Sequence, residues 1–89
     1  MTFLGMDTQA VQQLAQQMSH SADQIENIMQ TLTHSLTGTQ WTGPDREQFV
    51  SDWQSTHCTA LRTVVQGLRD AAQKAMQNAQ QQEQTSSTL

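Results

Sequence analysis

With a single cysteine, Cys58, the chain can form no internal disulfide, and a thiol-based metal site would lack companion ligands. Lysine and arginine together number four, against eight acidic residues, for a formal charge of -4. Phosphate backbones are held by basic stripes, so the scattered Arg46, Arg62, Arg69 and Lys74 exclude a nucleic-acid partner. Long hydrophobic runs are missing as well: no stretch approaches the roughly 18 apolar residues of a membrane span. The first six residues, Met1 to Met6, carry neither a basic region nor a long apolar one, so any export is expected to bypass the general secretory signal. Glycine and proline are rare, and Gly38, Gly43 and Pro44 fall close together, which leaves long uninterrupted segments on both sides.

Those segments have helical period. Before the break, Val11, Met18, Ile25 and Leu32 recur every seven residues, Leu14 and Ile28 fill intermediate positions, and Ala15, Ala22, Met29 and Leu36 widen the stripe. Ser21 and Ser35 interrupt it where leucine would be expected, which marks either a weak layer, the default reading, or the close approach of another backbone. Asp7 is placed to cap the first turn, and Gly38 to close the helix in the left-handed conformation. After the break, Pro44 suits a first helical position, and Asp45 and Glu47 put negative charge at the positive end of the helix dipole. Val50, Trp53, His57, Leu61, Val64, Leu68, Ala71, Ala75 and Ala79 then follow at helical spacing, with Phe49, Ala60 and Ala72 beside them.

Two amphipathic stripes joined by a short break fold back on one another. The expected architecture is therefore all-α, one domain over 1–89. Helix one covers about 7–37, a turn 38–43, helix two about 44–79, and a flexible Gln-rich tail about 80–89. Pairing about the turn brings Leu32 near Val50, Met29 near Trp53, Ile25 near His57, Met18 near Val64 and Leu14 near Leu68. That pairing predicts a rod of roughly 45 Å with its better-packed end at the turn. A two-helix hairpin of this size has a core too small to be stable by itself, so a protein partner is expected to cover the remaining apolar surface. The residues expected to form the core and the dimer interface are Val11, Leu14, Met18, Ile25, Ile28, Leu32, Phe49, Val50, Trp53, Leu61, Val64 and Leu68.

The polar residues suggest little chemistry. His20, His34 and His57 lie far apart in this register, so neither a metal site nor any cofactor is expected. His57 falls on the apolar seam opposite Ile25, where a satisfied core histidine is the default and a pH sensor the sharper alternative. Cys58 is expected to point away from the seam. A narrow rod offers no cleft in which a nucleophile, base and orienting acid could meet, so no catalytic residues are expected and the chain is read as a non-enzyme.

Trp41-Thr42-Gly43, set between two helices and followed by Asp45, Glu47, Phe49 and Trp53, resembles the Trp-x-Gly (WXG) family of early-secretory-antigen-like proteins. These are small helical substrates of bacterial type VII secretion. The resemblance implies a hairpin that pairs with itself or a related small protein into a four-helix bundle. It also implies export by a membrane ATPase without a cleaved signal peptide, with Trp41 and Gly43 contributing to an export recognition surface. The family's Tyr-x-x-x-Asp/Glu signal has no intact counterpart, because the chain contains no tyrosine; Ala79 and Glu83 stand at its spacing. The resemblance thus implies the signal-less member of a heterodimer, made in the cytoplasm and secreted with a tyrosine-bearing sibling. A membrane-active, pore-forming effector and a cytoplasmic helical adaptor or chaperone for a larger effector are the alternative readings.

Overall fold

The computed structural model describes residues 6–88, with side chains as far as Thr85. It is all-α, a long hairpin measuring 68 × 17 × 15 Å. Helix α1 spans Thr8–Gly38; helix α2, Pro44–Asp52, continues through a π-helical turn at Trp53–His57 into helix α3, Cys58–Thr88. Asp7 caps α1 by accepting a 3.1 Å hydrogen bond from the Ala10 amide, as its position predicts. Pro44 opens α2, with Asp45 and Glu47 in its first turn.

The helix ends differ from expectation in two places. Gly38 is the last residue of α1 and not a left-handed cap; Thr39 leaves the helix in an extended conformation and its hydroxyl donates to the Ser35 carbonyl at 2.7 Å. Left-handed backbone occurs instead at Gly43, with φ 114°, where a side chain would be strained. At the other terminus, the segment 80–88 expected to lie beyond helix two is helical: α3 runs on to Thr88. Ala79 is fully buried against α1, and Glu83 accepts a hydrogen bond from Gln12 at 3.1 Å. The polar run has no apolar stripe of its own, yet docking of the preceding turns onto α1 carries it forward, because propagating a helix costs far less than nucleating one.

The register is displaced too. The expected pairing puts Gln12 beside Asp70, Asp23 beside Thr59 and Thr33 beside Phe49, whereas Gln12 meets Glu83, Asp23 meets Arg69 and Thr33 meets Trp53, roughly one to three turns farther along the second helix. Residues 39–43 do not form a tight turn. They lie along the first turns of α2, where the Trp41 ring packs on Phe49 with centroids 5.3 Å apart. Helix α2 therefore overhangs α1, which it hardly touches, and none of its residues is buried. The overhang makes the rod longer than predicted and its tip the least packed part.

Contact between the helices is made by small side chains. Ala15, Ala22 and Met29 on α1, and Cys58, Val65, Ala72 and Ala79 on α3, are the buried residues, and within each helix they recur every seven positions. Cys58, expected to face outward, thus sits in the seam at 3% exposure, because the seven-residue grid of α3 passes through it. His57, its neighbour, is exposed. An alanine seam brings two backbones close but buries little area, since each added methyl is worth only about 0.8 kcal/mol. Crowding such a seam is costly: Ala22→Leu, at a position with 0% exposure, is expected to lower stability by about 1–3 kcal/mol in urea unfolding followed by circular dichroism.

Candidate interaction face

The seam divides the hairpin into two unlike sides. Positions one and four residues before each seam residue fall on a common side of an antiparallel helix pair. In α1 these are Val11, Leu14, Met18, Ser21, Ile25 and Ile28, with Leu32 one turn farther on; in α3 they are Leu61, Val64, Leu68, Ala71, Ala75 and Asn78, and His57 stands one position before Cys58. No charged side chain is among them. The opposite side carries the polar contacts between helices: Gln12 with Glu83, and Arg69 with both Asp23 at 3.0 Å and Glu26 at 3.4 Å. The hydrogen bond to Asp23 is the main influence that raises the Arg69 guanidinium above its ordinary value, and the group is positively charged at any pH the protein meets with or without it. These pairs are exposed to solvent and orient the helices more than they stabilise them.

The apolar side is left largely uncovered. Leu14, Ile28, Leu32 and Val64 are 46%, 57%, 49% and 51% exposed, and Phe49 on the overhang 48%. Of the remaining residues expected at the core or interface, Val11, Met18, Ile25, Val50, Trp53, Leu61 and Leu68 are half-buried, and none is fully buried. The intrachain core thus lies beside the bulky stripe and not within it. Its sequence signal was the seven-residue recurrence of Ala15, Ala22, Met29 and of Cys58, Val65, Ala72, Ala79, which ranking residues by bulk passes over. A contiguous, uncharged apolar surface of this kind marks a binding site more often than an ordinary exterior.

At the tip, the Trp41 ring is half-buried on Phe49, and Thr37, Trp41, Gly43, Arg46 and Glu47 line an open groove. The Trp53 indole N–H donates to Thr33 Oγ1 at 2.8 Å, and that hydroxyl in turn donates to the Met29 carbonyl at 2.8 Å. This relay ties the π turn to the end of α1. His57 lies near Trp53, with ring centroids 6.2 Å apart, but its exposure removes the buried seam position on which the pH-sensor reading rested. Of the degenerate signal pair, Ala79 is sealed in the seam and Glu83 faces Gln12.

Among the described residues, no group of three or more His, Cys, Asp or Glu side chains could hold a metal ion, and no helix is long and apolar enough to cross a membrane. No family model, curated protein or solved structure matches this chain.

Two substitutions probe the tip. Thr33→Val, which removes the acceptor of the Trp53 N–H, is expected to cost about 1 kcal/mol in urea unfolding. His57→Gln is expected to leave the melting temperature unchanged, because the side chain is exposed and buries no area that the substitution would lose.

Proposed function

We propose that this chain is a non-catalytic, exported partner protein of the type VII secretion pathway, acting as one half of a four-helix bundle. The observation that carries the reading is the uncharged side of the hairpin on which Leu14, Ile28, Leu32 and Val64 stand about half exposed. A second hairpin laid on this side would bury side chains worth about 1.5–3 kcal/mol each when fully covered, which the alanine seam cannot supply. The Trp41-Thr42-Gly43 connection supports the family resemblance: its glycine has the positive φ that favours glycine and its tryptophan packs on Phe49.

The same reading assigns the chain the signal-less role. A tyrosine-type export signal offers a ring to its receptor, whereas Ala79 offers a methyl group turned into the seam with 0% exposure. Export then depends on a sibling hairpin that brings the tyrosine, and the secretion ATPase engages the pair. No cofactor enters this role.

Light scattering on the purified chain, alone and co-expressed with a small neighbouring hairpin protein, tests the reading directly. A dimer in either sample supports it; a stable, folded monomer in both overturns it. Leu14→Glu combined with Ile28→Glu is expected to weaken association at least about 100-fold. Secretion of the chain from cells lacking every sibling would contradict the signal-less role, and leakage of liposomes at acidic pH would favour the membrane-active alternative.

A further inference from the structure

The buried line of α3 steps back by sevens from Ala79 through Ala72 and Val65 to Cys58. One more step reaches Ser51. Yet Ser51 is exposed, and it is Val50 that is half-buried. Between them and Cys58 lies the π turn, where the Cys58 amide donates to the Trp53 carbonyl five residues back instead of four. A π turn of this kind holds one residue more than the α-helix it interrupts, so the helix on its far side keeps its direction although the count has slipped by one.

We infer that the turn at Trp53–His57 is a phase compensator: it absorbs one residue in excess of the seven-residue repeat and keeps the tip aligned with the rest of the hairpin. Val50 thereby continues the line of Cys58 and Val65. Phe49, one position before Val50, stands on the side of Val64, one position before Val65. The aromatic pair Trp41–Phe49 thus prolongs the apolar side onto the overhang. In an uninterrupted α-helix, Val50 would stand where Phe49 now does, and Phe49 would turn about 100° away from that side. The Trp53 to Thr33 hydrogen bond holds the compensated form by anchoring the turn to α1. The inference concerns the phase of the helix alone and stands whether or not a second hairpin docks.

Deletions of single exposed residues test it. Removing Ser55, inside the turn, should let the helix close as a continuous α-helix with every apolar position still in line, so the melting temperature is expected to equal or exceed that of the wild type. Removing Gln66, in regular α3, has no slack to draw on and should lower it by more than about 10 °C. In the full-length chain, Val50→Ser is expected to lower the melting temperature by about 4–8 °C and Ser51→Val to leave it unchanged. A Ser55 deletion that destabilises as severely as the Gln66 deletion, or that fails to fold, overturns the inference. So does the reverse pattern at 50 and 51, with Ser51→Val stabilising and Val50→Ser silent.

Discussion

Close approach of two helices through small side chains is the constraint from which the rest of the structure follows. Because Ala15, Ala22, Ala72 and Ala79 occupy the seam, the backbones come together without room for the leucines and isoleucines that a sequence stripe would place between them. Those larger side chains are displaced to one side. The seam sets geometry and contributes modest energy; the unused apolar area contributes none until something covers it. A protein built this way holds its own shape with one set of positions and leaves another set, on the same helices, uncovered.

Polarity divides along the same seam. The Arg69 contacts with Asp23 and Glu26, and the Gln12 contact with Glu83, all lie opposite the apolar side. Their value is orientational: they tell two nearly symmetric helices which flank is outward. The arrangement leaves the uncharged side free of groups that a docking surface would have to desolvate.

The sequence discloses the fold class through period and capping. Asp7 begins α1 and Pro44 begins α2, each for a reason visible in the residue type, whereas the left-handed backbone expected at Gly38 falls at Gly43. What it hides is relative position. Periodicity gives each helix a face but no axial offset, and an assumed tight turn misplaced that offset because Thr39 to Gly43 run extended along α2. It hides the seam as well, since alanine and cysteine are ambiguous residues and bulk is the louder signal. The π turn had a faint trace: the apolar positions upstream of Trp53 sit one residue off the grid that Cys58, Val65, Ala72 and Ala79 define. The terminal Gln-rich segment misled for the opposite reason, its composition being that of a disordered chain while its helix is inherited from the turns before it.

The thiol of Cys58, enclosed in the seam at 3% exposure, offers a view of motion that no other side chain gives. An alkylating reagent reaches that sulfur only when α1 and α3 part, so its labelling rate in native buffer follows the population of the parted state. If the proposed pairing holds, a second hairpin laid over the apolar side would slow that labelling. The lone cysteine is thereby a built-in clock for how long the molecule spends closed, and it sits where closure matters most.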